Sequence, residues 1–431
     1  MNASPKLVSK ATSSFEKDHH IFGLRGILAI SSFLWIFFET FIPAVATHST
    51  AGPGYQRVLR IVFGTVLWDE SLISSFFFVL SARAICVRFL KDPTADKFAG
   101  AIIRRSIRLV VASGAALFIT YGIFAGLGTK YIATFKQTLP NHSINSPGVP
   151  KTALQGFNAV FDMFWVVRQY DSQAANAFWP TSTLGRVSLL YNQSWTVYFL
   201  MVLLPFGRPQ WHVQVLALFT IGAFWMCSWG WYSACALLIA DVTINPSLAS
   251  KLASGLTLSE KRNWKVHYPL IGFLMIPIGL AMKYVWAVFP RYIDGELVLH
   301  PYLDLSEQTT RRQFAAADPY PRVDDFFVIF GLLLIVETMP KARNVLSGPW
   351  LVSLGRRSFS LFVAQSLLMW SAGIKLWIHL HMANGTSVAL ANLAVFITTL
   401  VAVILFGEAF YRVVDVPSQW LATAGYYWVT S

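Results

Sequence analysis

Runs of roughly 18–22 apolar residues recur along the whole chain, and a helix of that length crosses the hydrocarbon core of a bilayer. Inside lipid the backbone finds no water, so a spanning segment must satisfy its own amides as a helix or join a closed barrel. Barrel strands alternate over about ten residues, and that period is not seen here. The chain therefore reads as all-α, a polytopic integral membrane protein of about ten transmembrane helices. Composition agrees: 13% of the 431 residues are charged, against about 25% in soluble domains. The 16 Trp and 34 Phe suit lipid-facing surface and interfacial belts.

The net charge of +13 does not point to nucleic acid, because the basic residues cluster in short loops beside apolar runs, as the positive-inside rule expects. Cys86, Cys227 and Cys235 all fall within apolar runs, which supports neither a disulfide framework nor a zinc site. No metal site is expected. The polar start, Met1 to His20, carries Lys6, Lys10 and Lys17 and precedes an apolar run from about Gly26. That run is too long and too far in for a cleaved signal peptide.

Spans are expected at about 26–46, 71–90, 106–127, 191–206, 213–228, 230–244, 268–289, 324–339, 358–378 and 389–411. The connection after the second holds Arg83, Arg88, Lys91, Lys97, Arg104, Arg105 and Arg108, which marks a cytosolic loop. Val213 to Ala240 exceeds the length of one span and breaks near Ser228-Trp229-Gly230, so it is read as two. Lys251, Lys261, Arg262, Lys265, Lys341, Arg343, Arg356 and Arg357 then all fall in the cytosol, as do both termini. The sequons at Asn141 and Asn384 fall in loops on the opposite side, which makes a glycoprotein. The chain divides into a polar segment 1–25, a transmembrane domain 26–411 and a cytosolic tail 412–431.

An ionisable group in hydrocarbon costs about 2.5–3.5 kcal/mol on insertion scales and faces the bundle interior. Glu39 lies deep in the first span, fourteen residues after Arg25 and on the same face, about 21 Å away along the axis. Arg83 and Arg88 close the second span, where snorkelling explains them, and Asp69 and Glu70 stand at its other mouth. Gln365 sits in the ninth span, as an interhelical hydrogen-bonding residue if nothing more. Glu408 and Asp415 flank the exit of the last, where Asp415-Val416-Pro417 reads as a helix end. His379 and His381, two residues apart on an outer loop with no third ligand, read as solvated. Neither a GxSxG elbow, a Walker loop nor HExxH is present.

Six segments, taken in order, resemble the acyltransferase-3 family of membrane-bound O-acyltransferases in its fungal form. Gly23-Leu24-Arg25-Gly26 is similar to that family's opening "LRG", and Phe76-Phe77-Phe78-Val79-Leu80-Ser81 to its "FFVLSG", with Ala82 in place of Gly. Arg104-Arg105-Ser106-Ile107-Arg108 resembles the arginine-rich start of the third span, and Ser194-Trp195-Thr196 the "LWT" of the fourth. Leu354-Gly355-Arg356-Arg357-Ser358-Phe359-Ser360-Leu361-Phe362 is similar to "LGRISYSLYL", and Val414-Asp415-Val416-Pro417-Ser418 to the closing "VDxPS". The resemblance implies ten helices and transfer of an acyl group, often acetyl, from acyl-coenzyme A to an alcohol. The family's intramembrane His falls on Ile36, its fourth-span acid on Leu200 and its ninth-span His on Gln365.

Glu39, one turn beyond Ile36 on the same face, is the group that compensates as general base, with Gln365 beside it in the catalytic set. Arg25, Arg83, Arg104 and Arg108 are expected to bind the coenzyme A phosphates on the cytosolic side. The expected function is O-acylation of a lipophilic metabolite of the fungal secondary-metabolite type, in the endoplasmic reticulum or plasma membrane. Two alternatives keep the fold: an isomerase or cyclase in which Glu39 donates a proton among aromatic side chains, and a non-enzymatic transporter or inactive relative. Transporters show broken helices and paired repeats, and neither is visible in the sequence.

Overall fold

The computed structural model describes residues 18–46, 52–139, 149–150, 152–165, 182–204, 207–245, 255–259, 264–302 and 320–430. Asn141, Lys251, Lys261 and Arg262 lie outside them. Each of the ten apolar segments is occupied by helix: α1 His19–Phe41, α2 Glu70–Lys91, α3 Ala95–Leu127, α4 Ser182–Leu203, α5 Pro209–Trp225, α6 Gly230–Ile244, α7 Tyr268–Val288, α8 Val323–Thr338, α9 Ser358–Leu368 and α10 Val388–Phe410. Among the described residues six helical stretches are long and apolar enough to cross a membrane, those containing α1, α2, α3, α7, α9 and α10. Residues 211–225 and α6 are shorter apolar helices. Large apolar side chains such as Phe199, Leu218, Phe273, Leu274 and Leu405 are exposed, as a lipid-facing surface requires.

The helices start where the sequence supplies caps. Asp69 accepts from the Leu72 amide at 2.9 Å, Thr94 from Lys97 at 3.4 Å and Ser387 from Leu390 at 3.4 Å. Glycine governs the tightest crossings. A Cβ at Gly23 would overlap the Leu346 carbonyl, one at Gly26 the Leu351 carbonyl, and one at Gly355 the Phe22 carbonyl. The two glycine-bearing motifs at either end of the chain therefore pack backbone to backbone, α1 against the short helix Pro349–Arg356. Gly272, Gly279 and Gly331 do the same between α7 and α8, the small-residue crossing that membrane helices use in place of a hydrophobic driving force. One buried core lies around α2, α6 and α8, a second around α1, α9 and α10.

Besides α1 and α3, which begin seven and eleven residues before their expected starts, four features depart from the sequence reading. α4 begins at Ser182, nine residues before the expected start. Its polar residues are satisfied internally, Thr183 by Ser366 and Ser188 by the Met163 carbonyl at 2.7 Å, so a search for apolar runs passes over this part of the helix. The chain does not turn at Asp415–Pro417: a π-turn, Tyr411–Asp415, carries α10 into a further helix, Val416–Thr430. Widening the helix just before Pro417 relieves the clash that a proline ring makes with the preceding turn. A second π-turn, Met369–Gly373, follows α9. The fourth departure is a two-stranded antiparallel ladder between α6 and α7, β1 Leu256–Ser259 with β2 Trp264–Val266, where only a loop is expected.

Candidate functional site

α1 carries polar groups at both ends with apolar side chains between them. At its Arg25 end three helices, α1, α2 and α3, bring arginines together. Arg25 donates from Nη2 to the Leu80 carbonyl at 3.1 Å and feels the repulsion of Arg83, Arg105 and Arg108. Arg83 is committed to α8, with its Nη2 2.6 Å from Glu337 Oε1 and both side chains buried. His20 and Arg343 stand farther from the same carboxylate, at 3.7 and 3.8 Å. Arg108 makes a two-point contact with fully buried Asp415, at 3.0 and 3.1 Å. Arg104 turns outward, 4.5 Å over the Tyr426 ring of the final helix, and donates to the Gly100 carbonyl.

Arg105, which the sequence reading left out of the phosphate-binding set, points inward instead. Its Nε donates to Ser194 Oγ at 3.0 Å and its Nη2 to Ser81 Oγ at 2.5 Å. Among the described residues neither Arg25 nor Arg105 has a carboxylate within ion-pair distance. Two partly buried guanidiniums with no carboxylate partner among the described residues concentrate positive charge here, a chemistry that suits an anion such as phosphate. Of the four arginines expected to bind phosphate, Arg83 and Arg108 are engaged by carboxylates, Arg104 by the Tyr426 ring and the Gly100 carbonyl, and Arg25 by the Leu80 carbonyl. Arg104 and Arg105 are adjacent and leave α3 about 100° apart, so one faces Tyr426 and the other Ser81 and Ser194.

At the other end of α1, Glu39 is hydrogen-bonded by Trp35 and lies in the fields of Glu70 and Arg186, which pair with each other. Arg186 was hidden from the sequence because α4 starts early. Ile36 and Leu200, at the family's polar positions, are each 1% exposed and packed in the apolar cores. Gln365 donates from Nε2 to the Ala29 carbonyl at 2.9 Å, tying α9 to α1 at an oxygen that Ser32 Oγ also reaches at 3.0 Å. Its Oε1 is buried without a hydrogen-bond partner among the described residues.

A network that no sequence motif announced adjoins Glu70. Lys283 of α7 reaches Asp325 at 2.5 Å, Asp69 at 3.4 Å and Asp324 at 4.0 Å. Arg322 binds Glu296 at 2.9 Å and Asp324 at 2.8 Å, Ser71 donates to Asp325 at 2.5 Å, and Tyr232 donates to the Arg322 carbonyl at 2.6 Å. Four carboxylates thus share two cations. Burial, and then the neighbouring Asp324, push the Glu296 carboxyl up to about 8 against the pull of Arg322 and the Val323 amide. A lysine inside an apolar run is the signal that pointed here: it is costly in a membrane without acidic partners, and Asp324-Asp325 opens the next span. Among the described residues no group of His, Cys, Asp and Glu is arranged to hold a metal ion.

Cys86 and Cys227 are buried and Cys235 is half-buried, and all three are free thiols. Asn384 is exposed beside Gly385, whose φ of +65° forms the turn into α10. No family model, curated protein or solved structure matches the chain.

Proposed function

We propose that the chain crosses the membrane ten times with both termini in the cytosol. In this reading it is an O-acyltransferase of the acyltransferase-3 type, moving an acyl group, acetyl by preference, from acyl-coenzyme A to a hydroxyl of a lipophilic acceptor. The observation that carries the proposal is the uncompensated guanidinium pair, Arg25 and Arg105, at one end of α1 with the Glu39 carboxylate at the other. Fourteen residues of one helix separate Arg25 from Glu39, about 21 Å, a span suited to a donor anchored by its phosphates that extends a long arm to its reactive thioester.

In that arrangement Arg25 and Arg105 hold the phosphates, with Ser81 and Ser194 fixing the Arg105 fork. Glu39 accepts the proton of the acceptor hydroxyl as its oxygen attacks the thioester carbonyl. The carbon–sulfur bond breaks, the thiolate leaves, and the proton held by Glu39 returns to it or to solvent past Glu70. Arg186 offsets the mutual repulsion of Glu39 and Glu70. Arg83 and Arg108 hold α2 to α8 and α3 to the end of α10. The exposed apolar side chains support residence in a membrane, in this reading the endoplasmic reticulum or plasma membrane, and the acceptor is a lipophilic one such as a fungal secondary metabolite.

The test is incubation of membranes holding the protein with acetyl-labelled coenzyme A and an apolar extract, followed by mass spectrometry. Label in an ester product supports transfer. Glu39→Gln is expected to lower turnover by about 10²–10⁴-fold with expression unchanged. Unaltered turnover in that variant removes Glu39 from the mechanism, and an isomer of unchanged mass without label replaces acyl transfer by isomerisation or cyclisation.

A further inference from the structure

The turn between α5 and α6 meets the segment Pro290–Leu299 through Cys227 and Leu297, and α6 meets the start of α8 through Trp231 and Phe326. His300 closes that segment and is fully buried. Its Nδ1 lies 2.7 Å from the Phe224 carbonyl. A carbonyl only accepts, so Nδ1 carries the proton, and burial depresses the ring's proton affinity. The neutral imidazole therefore presents Nε2 as an acceptor, and among the described residues Nε2 has no donor. Trp231, 3% exposed, has an indole Nε1–H that likewise meets no acceptor among the described residues.

The two ring centres are 6.3 Å apart, and one oxygen at hydrogen-bond lengths of about 2.8 Å can join two nitrogens up to about 5.6 Å apart. Buried donors and acceptors are almost always paired. A single hydroxyl, with one donor and free lone pairs, satisfies both nitrogens at once. The surroundings are aromatic: Phe326 stacks on Trp231 at 4.5 Å, and Phe224 lies 5.1 Å from Trp231 and 4.6 Å from His300. Phe224 and Phe326 are only half-buried, and Trp225, Met226, Val298 and Leu299, their neighbours in the chain or those of His300, are exposed.

We propose that Trp231 Nε1 and His300 Nε2 bind the hydroxyl of a lipophilic alcohol, the indole donating to its oxygen and the imidazole accepting its hydrogen. This site involves neither Glu39 nor the arginines and stands whether or not the chain transfers acyl groups. The alcohol comes either from the bilayer, as a sterol does, or from solution.

The test uses the full chain in phosphatidylcholine nanodiscs, with binding of radiolabelled 2-naphthol and of naphthalene measured against empty discs. Trp231→Phe keeps the stack on Phe326 and removes the donor. His300→Asn keeps a donor toward the Phe224 carbonyl and removes the acceptor. Each variant is expected to weaken 2-naphthol about tenfold and to leave naphthalene unchanged. Displacement of 2-naphthol by cholesterol in the discs assigns the ligand to the bilayer, and its failure assigns a soluble alcohol. Equal wild-type affinity for 2-naphthol and naphthalene, or variants that bind 2-naphthol as the wild type does, overturns the proposal and leaves a trapped water between the rings. The wild-type pair decides the matter even where a variant does not fold.

Discussion

Removing either partner of the Arg83–Glu337 pair is expected to destabilise the protein far more than removing both. At 2.6 Å the attraction is about 6 kcal/mol at an effective dielectric constant of about 20, and desolvation of the two ions opposes it by several kcal/mol each. The pair is therefore worth little net, yet one partner left alone forfeits the attraction and keeps its desolvation penalty. Arg83→Met and Glu337→Leu are each expected to cost about 3–5 kcal/mol. At about 2 °C per kcal/mol for a chain of this size, that lowers the melting temperature by about 6–10 °C. The double variant is expected to recover most of the loss. Recovery is smaller than for an isolated pair, because His20 and Arg343 also lean on Glu337. Thermal unfolding of all four proteins in one detergent closes the double-mutant cycle. Additive losses refute the reasoning. So does an Arg83→Met protein of wild-type stability with weakened use of acyl-coenzyme A, which would make Arg83 a ligand-binding group.

Arg25→Gln and Arg105→Gln are each expected to raise KM for acetyl-coenzyme A by about ten- to a hundredfold, the range of one charge-assisted hydrogen bond. Steady-state kinetics should show this with melting temperature unchanged, since no buried carboxylate loses its partner. Glu296 binds a proton in the folded chain up to about pH 8 and an unfolded glutamate only up to about 4.3. The folded state therefore holds the extra proton between those values, and stability falls as pH rises through that window, by at most about 1.4 kcal/mol per pH unit. Glu296→Gln should flatten the profile in unfolding scans from pH 5 to 9. Gly355→Ala is expected to cost about 1–3 kcal/mol by forcing a methyl group against the Phe22 carbonyl, again read by thermal unfolding.

What was legible in the sequence follows from which forces act locally. Apolar length alone located the helices α1–α10, six of which lie in stretches long and apolar enough to cross a membrane, because a lipid-exposed helix is specified by its own composition. Boundaries failed where polar side chains are satisfied by tertiary partners: Thr183 and Ser188 extend α4 backward only because Ser366 and the Met163 carbonyl receive them. The distinction between Arg104 and Arg105 depends on the phase of α3 against α2 and α4, which no residue within the run reveals. Snorkelling is a sound first account of Arg83 on its own span. Its true environment is set by Glu337, more than 250 residues away in the chain. Glu39 and Arg25 were visible because each breaks the apolar pattern of its own helix. The Lys283 network was visible in principle by the same rule.

The restraints on α1 bear directly on the proposed chemistry. At the Arg25 end, Gly23 and Gly26 allow the backbone of Leu346 and Leu351 to lock against the helix, and Gly355 returns the contact. Midway, Gln365 holds the Ala29 carbonyl. At the far end Phe41 lies against Gly373 of the π-turn after α9. Three attachments along its length bind α1 to the single stretch 346–373, so the Arg25-to-Glu39 spacing is fixed by packing. A fixed spacing is what a positional mechanism needs, because displacing reacting groups by about 1 Å costs about a hundredfold in rate. The glycines and Gln365 then act on transfer through position alone. Substituting Gln365 with Leu removes the tie to Ala29 while leaving every charged group in place, so a fall in kcat with KM for the donor unchanged marks it as a positioning residue, and a rise in KM alone argues that it meets the ligand.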